Sequence, residues 1–230
     1  MTSTKPQRKS RARSKTPEAL PEAALSRRVI AAARRHFFAH GFRAITTDDL
    51  AAELALSKKT LYALFPSKEA LLEAVVLQKF ASVDAEVARI SGDLSLGCVQ
   101  KLHELLACLQ REMEEIQPSF VRDMQRGAPE VFALIERRRA GIIREHFGAL
   151  FDQSRRAGMV RKDVSTTLLI AVILGAVNAV LNPAKLAELR LQPREGLLCI
   201  LGIILEGAMT TKGRAKLQND RFSYSRVRVH

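Results

Sequence analysis

Apolar residues recur at helical spacing along most of the chain, and Pro, Gly and capping residues separate the segments that show this pattern. In the segment 21–40, Ile30, Ala33 and Phe37 lie three or four positions apart, which is the spacing of one face of an α-helix. Gly41 follows directly, and glycine commonly ends a helix. The pattern therefore predicts a first amphipathic helix whose apolar face belongs to a small core.

Residues 46–68 predict two short helices joined by a tight turn. Thr46 is suited to cap the first helix, with Asp49 placed to return the capping bond, and Ser57 is suited to cap the second. Pro66 ends the second helix after about two turns. The outward face of this second helix carries Lys58, Lys59, Thr60 and Tyr62.

A short helix with a basic, hydroxyl-bearing face, braced by a preceding helix, suits insertion into the major groove of DNA. Lysine supplies charge for phosphates and donors for guanine edges, and Thr and Tyr hydroxyls can bond to phosphate oxygens. The alternative interpretation is an ordinary helical hairpin with a solvated charged face. The sequence of this stretch favours DNA binding.

From Ser67 onward the pattern predicts longer helices. Ser67 is suited to cap a helix that continues to about Ile90 and links the helix-turn-helix to the rest of the chain, which makes it a natural lever for an allosteric signal. Gly, Asp and Pro residues separate the later segments. These segments cover about residues 95–117, 118–127, 129–151, 164–181 and 193–210.

The segment 164–181 is apolar almost all round, which predicts burial on more than one side. Its apolar run is shorter than the roughly 20 residues of a membrane helix. Together with the apolar segment 193–210 it exceeds what one monomer's core needs, so we predict a subunit interface, a four-helix bundle across a twofold axis. A monomeric core is the alternative. The predicted interface residues are Leu169, Ile173, Leu174, Val177, Leu197, Leu201 and Ile204.

These elements predict an all-α fold, with an N-terminal three-helix helix-turn-helix domain followed by an antiparallel helical-bundle domain. The predicted divisions are a disordered basic arm (1–20), the helix-turn-helix domain (21–80), a helical domain for ligand binding and dimerisation (81–210) and a basic tail (211–230). For the tail a strand, packing on the body and disorder all remain open.

The net charge of +13 is unevenly distributed. Residues 1–80 carry an excess of eight positive charges, residues 81–210 are balanced, and residues 211–230 carry an excess of five. A polyanion-binding head on a neutral body fits this distribution. The basic residues of the segment 1–17 predict either an arm that follows DNA phosphates or a solubilising tail.

Several classes of function find no support in the sequence. It contains no Gly-rich phosphate loop, no G-x-S-x-G and no H-E-x-x-H, so we predict neither an enzyme nor a cofactor. His36 and His40 stand four apart without further ligands at suitable spacing, so we predict no metal site. Three widely spaced Cys and the lack of a secretory signal favour a reducing compartment, the cytoplasm, and no membrane is expected as a partner.

The order of residues in the first 75 positions resembles the DNA-binding domain of the tetracycline-repressor (TetR/AcrR) family. The resemblance covers about residues 26–75 without gaps and rests on Ile30-x-x-Ala33-x-x-x-Phe37-x-x-x-Gly41-Phe42, Ile45-Thr46-Thr47-x-x-Leu50-Ala51 and Leu56-Ser57-x-x-Thr60-Leu61-Tyr62-x-x-Phe65-x-Ser67-Lys68-x-x-Leu71-Leu72. Three residues depart from the family pattern. Ala55 replaces the usual turn glycine and predicts a less open turn, while Lys59 and Leu64 predict an altered base-reading surface.

The resemblance implies a homodimeric regulator that binds a double-stranded operator, and it implies a phosphate contact for Lys68. We therefore expect a transcriptional regulator, a repressor released from a palindromic operator when a small apolar molecule binds the C-terminal domain. The alternative is a ligand-independent or architectural DNA-binding protein, controlled by its concentration or by a protein partner. The residues expected at the DNA are Thr46, Thr47, Ser57, Lys58, Lys59, Thr60, Tyr62 and Lys68.

We expect a small-molecule effector in a pocket between the helices of residues 95–180, although each candidate lining residue is also suited to a plain core. The neutral body favours an apolar or weakly polar ligand. The run Arg137–Arg139 is expected on a solvated face, balanced by Glu136 and Glu145, and an anionic ligand there is the less favoured interpretation. The expected lining residues are His103, Phe120, Met124, His146, Phe147 and Phe151.

Overall fold

A computed structural model describes residues 21–219, and every extended regular element in that range is helical, which confirms the predicted all-α class. The predicted arm, residues 1–20, and residues 220–230 of the tail lie outside the described residues. The α-helices are α1 (Glu22–His40), α2 (Thr47–Glu53), α3 (Lys58–Leu64), α4 (Lys68–Gly92), α5 (Cys98–Glu114), α6 (Pro118–Gly127), α7 (Pro129–Ile142), α8 (Gly148–Arg156), α9 (Thr166–Val180), α10 (Pro183–Leu189), α11 (Pro193–Ala208) and α12 (Thr211–Asn219).

Of the first four helices, α2, α3 and α4 begin where their capping residues predict. The Thr46 side chain accepts a hydrogen bond from the Asp49 backbone while the Asp49 carboxylate accepts one from the Thr46 backbone, which completes a capping box. Ser57 and Ser67 cap α3 and α4 in the same manner, through one bond each. The apolar sides of these helices then meet, and Phe37, Leu50, Leu61, Leu71 and Leu72 are fully buried between them.

The turn between α2 and α3 contains Ala55 in the left-handed conformation, with φ at 54°. Its N–H donates to the Ala52 carbonyl, and the next N–H, of Leu56, donates to the Ala51 carbonyl, so the turn closes α2 as a Schellman motif. The expectation of a less open turn is therefore wrong. Alanine adopts the backbone conformation that glycine adopts more easily, and it does so at the expense of local strain.

The helix α6 packs against the first four helices as well as against the body. The Phe38 and Phe120 rings meet edge to face with centroids 4.7 Å apart, and the Gln117 N–H donates to the Phe38 carbonyl at 3.0 Å. Met124 is buried in the same N-terminal core. The apolar interior around the helix-turn-helix thus continues into the helices that surround the middle of the body.

The helices α4, α5, α7, α8, α9 and α11 enclose the core of the body. A π-helical turn, Ile143–Phe147, joins α7 to α8, where the sequence predicted one continuous helix. The chain after α11 forms a bridge between Val160 and Met209 and then continues as α12, which packs on α5. Within residues 21–219, no single helix is long and apolar enough to cross a membrane, and only the pair α9 and α10, bent by 79°, passes that test together.

The prediction that α9 and α11 turn seven named apolar side chains toward a partner is wrong for most of them. Five, namely Leu169, Ile173, Val177, Leu197 and Leu201, are buried in the core of a single chain, and Leu174 and Ile204 pack partly against it. The large apolar side chains exposed on these helices are instead Leu168, Val172 and Ile203. A helix that is apolar all round does not reveal from its sequence which side faces its own core.

Candidate functional site

The surface formed by α2 and α3 carries most of the residues predicted to contact DNA. Thr46, Ser57, Lys58, Lys59 and Tyr62 are exposed, while Thr47, Thr60 and Lys68 are half-buried. The Thr47 and Tyr62 hydroxyl oxygens lie 3.0 Å apart, so the two side chains form a joined hydroxyl pair on this surface. The tight turn therefore brings residues from both helices to one face.

Several of the predicted contacts already have partners within the protein. The hydroxyls of Thr46 and Ser57 hold the caps of their helices, and the Thr60 hydroxyl lies 2.8 Å from that of Ser57. The hydroxyls of these residues therefore stabilise the starts of α2 and α3. A hydroxyl among them that contacts a DNA phosphate does so while it also takes part in a hydrogen bond within the protein.

The two lysines of α3 differ in their surroundings. The Lys58 ammonium donates to the Asp48 carboxylate at 2.6 Å, and this bond raises the pKa of Lys58. Lys59 is exposed, and no partner for it occurs among residues 21–219. Lys59 is thus the cation of α3 whose ammonium is unpaired within residues 21–219 and can bind an external anion, while Asp48 orients Lys58.

Lys68, at the start of α4, lies close beside this surface. Its ammonium stands 4.6 Å from the centroid of the Phe42 ring, an arrangement that allows a cation–π contact. Burial lowers the pKa of Lys68, while the nearby carboxylates of Glu69, Asp123 and Asp49 act to raise it. The side chain is therefore less free than the resemblance to the family suggested.

The cations of α1 contribute unequally. Arg34 is bound to Glu115 and Arg35 to Glu53, so neither is a free positive charge. Arg27 and Arg28 are exposed and have no partner among the described residues. Glu53 lies on α2 and Glu115 follows α5, so the helical periodicity of α1 gives no information about these acidic partners.

A cavity of about 180 Å³ lies where α4, α5, α6, α7, α9 and α11 meet. Aliphatic and aromatic side chains form nearly all of its wall. Of the predicted lining residues, Phe120, Met124 and Phe147 do line it. Four residues that were predicted for the subunit interface, Ile173, Val177, Leu197 and Leu201, line it as well.

The other three predicted lining residues lie elsewhere. Phe151 is buried in the body core beside Phe147, with ring centroids 6.3 Å apart. His103 is half-buried on α5, away from the cavity wall. The His146 ring nitrogen Nε2 lies 3.0 Å from an Asp84 carboxylate oxygen, so this side chain connects the π-helical turn to α4. The expectation of a pocket contact is wrong for these three.

Three charged side chains in the cavity wall were not predicted: Lys79, Glu112 and Arg139. The buried Lys79 ammonium donates to both Glu112 and Glu115, and Glu115 also accepts from Arg34 of α1. Lys79 of α4, Glu112 of α5 and Glu115 directly after α5 form a charge network together with Arg34. The network extends from the cavity wall to the first helix.

The side chains of Asp84, Glu145 and His146 could together hold a metal ion, since one ligand atom of each lies within 4.8 Å of the others. Both carboxylates are exposed, and exposed acidic groups are common in proteins that bind no ion. The hydrogen bond between His146 and Asp84 joins α4 to the π-helical turn, and Glu145 is the neighbour of His146 in the chain.

Comparison with known proteins agrees with this geometry. Residues 29–75 match the model of the family described as bacterial regulatory proteins, tetR family. The chain is 26% identical over 186 residues to the uncharacterized HTH-type transcriptional regulator YvaF of Bacillus subtilis (strain 168), an alignment that covers 80% of this chain and 95% of YvaF.

Two solved structures share the fold. The fatty acid degradation regulator FadR from Bacillus halodurans superposes with a TM-score of 0.60 at 15% identity, over 83% of this chain and 97% of FadR. SmeT, the repressor of the Stenotrophomonas maltophilia multidrug efflux pump SmeDEF, superposes with a TM-score of 0.59 at 18% identity, over 81% of this chain and 91% of SmeT.

The matched segment contains the capped helices and the exposed cationic face described above. The relatives named are regulators, which confirms the expectation that the chain is not an enzyme. The resemblance seen in the residues is likewise confirmed: residues 29–75 match the tetR-family model, and the chain is similar to the DNA-binding transcriptional regulators of that family.

Proposed function

We propose that the chain is a homodimeric repressor that occupies a palindromic DNA operator and leaves it when a small, largely apolar molecule enters the cavity. In this proposal residues 21–80 bind DNA, residues 81–210 bind the ligand and the second subunit, and the basic arm 1–20 adds phosphate contacts. The protein acts in the cytoplasm, at the nucleoid. The apolar cavity beside the helices that carry the DNA-binding surface is the observation that carries the proposal.

The proposed DNA contact is made by the outward face of α3. Lys59 and the Tyr62–Thr47 hydroxyl pair are directed away from the core, because Leu61 on the opposite side of α3 is buried. An α-helix fits the major groove, where Lys reads guanine edges or binds phosphates and hydroxyls fix the register. A surface of one short helix reads only a few base pairs, so specificity requires a second copy.

The proposed dimer is formed by the outer faces of α9 and α11. On α9, Leu168, Ala171, Val172, Gly175 and Ala179 are exposed and follow one another at helical spacing. Ile203 of α11 is 75% exposed. Small and apolar residues allow two helix pairs to approach closely, and a twofold axis uses the same surface on both subunits. Two recognition helices then enter major grooves roughly 34–36 Å apart.

The proposed link between ligand and DNA uses α4 and α6. α4 begins beside the DNA-binding surface, and its residues Val76, Lys79 and Val83 form part of the cavity wall. α6 contributes Phe120 and Met124 to the wall, and its Asp123 carboxylate accepts a hydrogen bond from the Arg43 backbone at 3.0 Å. A ligand that fits one arrangement of these helices better than the other shifts the equilibrium by that difference in affinity.

The names of the structural neighbours support the direction of the proposal. SmeT is described as a repressor, and FadR as a regulator of fatty acid degradation. Repression by a relative of the same fold is the basis for proposing repression here.

A second candidate function is DNA binding without a ligand, controlled by concentration or by a protein partner. The strongly basic sequence ends favour it, because they bind phosphates without regard to base sequence. The cavity favours the first candidate, since a protein that only packs DNA has no use for an apolar chamber.

A thermal-shift screen followed by an operator-binding assay distinguishes the two candidates. Small amphipathic and apolar compounds are first tested for a rise in Tm of the full chain. Each compound that raises Tm is then added to the protein bound to its fluorescently labelled operator. We expect at least one compound to raise the Kd for the operator. A screen without stabilising compounds, or with compounds that leave the operator Kd unchanged, overturns the ligand-controlled function in favour of the second candidate.

A further inference from the structure

Arg139 is the charged residue of the cavity wall that lacks an acidic partner. On α7, Phe132, Ile135, Arg139 and Ile142 follow one another at intervals of three, four and three residues, and all four line the cavity. The arginine therefore occupies a position where the helix pattern calls for an apolar side chain. Its neighbours Arg137 and Arg138 are exposed, so the expectation that the whole run lies on a solvated face is wrong for Arg139.

The hydrogen bonds of Arg139 leave donors unused. One terminal nitrogen, Nη2, donates to the Asn178 side-chain oxygen at 2.7 Å, whereas the buried Nε has no partner among residues 21–219. Asn178 is exposed, which places the guanidinium at the rim of the cavity. Arginine carries five N–H donors, and Nε with a neighbouring terminal nitrogen forms a fork that matches the two oxygens of a carboxylate.

The electrostatic surroundings of Arg139 also point to a missing anion. Among the described residues no carboxylate lies within ion-pair distance of it. The other charged residues of the wall, Lys79 and Glu112, are paired with each other. Burial lowers the pKa of Arg139, with Glu136 as the one charge that acts to raise it. A half-buried guanidinium that lacks an acidic partner and has a buried, unsatisfied Nε is unfavourable, and an incoming anion reduces that cost.

The rest of the cavity wall is suited to hydrocarbon. Leu109, Phe120, Met124, Phe147 and Val177 are among the apolar side chains that surround the interior. They offer no hydrogen bonds to a polar molecule, so a ligand gains affinity there by burying carbon atoms. The cavity thus has one cationic point at its rim and an apolar interior.

We propose that the ligand is a small amphipathic carboxylate whose anionic head binds Arg139 at the rim and whose hydrocarbon tail fills the interior. This inference rests on the proposed ligand-controlled function and specifies the chemical class of the effector. It also replaces the expectation of an apolar or weakly polar ligand. Specificity for the head group comes from Arg139, because it is the cation of the described cavity wall that has no acidic partner.

Calorimetric titration of the full chain with two probes of equal carbon number, decanoate and decan-1-ol, tests the inference. The wild-type protein is expected to bind decanoate about ten- to a hundredfold more tightly, the ratio that a hydrogen-bonded charge pair provides. In Arg139→Gln this preference is expected to disappear while decan-1-ol binding is retained. Arg138→Gln, which removes the same charge from the neighbouring exposed position, is the matched control and is expected to keep the preference.

The outcomes separate this inference from the function on which it rests. Equal binding of both probes to the wild-type protein overturns the carboxylate proposal and leaves a ligand-binding cavity in place. If Arg139→Gln keeps the preference for decanoate, the carboxylate binds at another residue, and the proposal is overturned as well. If neither probe binds, the proposal of an amphipathic ligand is overturned. The operator-release screen then decides whether another ligand exists. The comparison of the two probes needs no variant, so a poorly folded Arg139→Gln protein does not prevent the test.

Discussion

The Arg34 guanidinium donates two hydrogen bonds to the Glu115 carboxylate, at 2.5 and 3.1 Å, and thereby joins the first helix to the end of α5. Glu115 also accepts from Lys79 of α4, whose ammonium is buried and shared with Glu112. Because Lys79 and Glu112 line the cavity, one charge network contacts both the cavity and the helix that supports the surface of α2 and α3.

Glu115→Gln is expected to lower the free energy of unfolding by about 1–2 kcal/mol, since it weakens the bonds to Arg34 and Lys79 while Glu115 is itself a third exposed. Burial acts to raise the pKa of Glu115, but the bonds and charges of Arg34 and Lys79 outweigh it and lower the pKa overall. The stabilisation is therefore present above the ordinary glutamate pKa of about 4.3 and is lost as pH falls through the lowered value.

Urea unfolding at a series of pH values from neutral to acid measures both effects. The Glu115→Gln protein should lose less stability in acid than the wild type. Glu114→Gln is the matched control, because Glu114 is exposed and stands 3.7 Å from Arg194 in a surface pair that contributes little. Equal stability losses in the two variants would contradict a special role for the network.

Ala55→Gly is expected to raise the free energy of unfolding by about 0.5–1 kcal/mol. Ala55 has a φ of 54°, and glycine removes the contact of the side chain with the backbone, although it also gains freedom in the unfolded chain. Ala88→Gly, at an exposed position inside α4, serves as the control and should lower stability by roughly 0.5–1 kcal/mol. Denaturant unfolding checks both values, and a loss in each variant would show that the turn is not strained.

Lys59→Ala is expected to weaken operator binding more than Lys58→Ala does, because Lys58 is already held by Asp48. Fluorescence anisotropy at several salt concentrations, on the operator and on single-base variants, measures the change. A uniform loss with a salt slope smaller by about one marks a phosphate contact, whereas a loss confined to certain bases marks base recognition. Lys162→Ala removes an equal charge from an exposed turn of the body. If it weakens binding as much as Lys59→Ala, α3 has no special part in DNA contact.

Val172→Glu is expected to convert the proposed dimer into folded monomers. Val172 is 47% exposed on the outer face of α9, so a glutamate there remains solvated in the monomer but meets its own copy across a twofold axis. Sedimentation velocity gives the mass, and far-UV circular dichroism shows that the helices persist. Leu94→Glu, which changes a residue that is 97% exposed beyond α4, should remain a dimer. A Val172→Glu protein with the dimer mass would place the interface elsewhere.

Local signals account for the parts of the structure that could be predicted. Thr46, Ser57 and Ser67 each bond to a backbone N–H three residues onward, so their effect on helix starts can be found without knowledge of the fold. The Pro residues that begin α6, α7, α10 and α11 act in the same local way.

The remaining features depend on contacts between distant segments. The inward side of α9 is set by the helices around it, since its own pattern is apolar on every side. Arg139 faces the cavity because of how α7 packs, and a run of three arginines gives no hint of which one is turned inward. The pairing of Arg34 with Glu115 joins residues 81 positions apart. None of these can be derived from helix periodicity alone.

Selection of bound sequences from a random DNA pool, with the purified full chain at about 0.15 M salt, tests the proposed repressor most directly, since at that ionic strength nonspecific attraction to phosphate is partly screened. The account predicts a palindromic motif whose half-sites lie about 10 base pairs apart or a multiple of that, because two α3 helices of a dimer enter successive major grooves on one face. Recovery of unenriched sequences would contradict it and show that the basic segments bind phosphates generally.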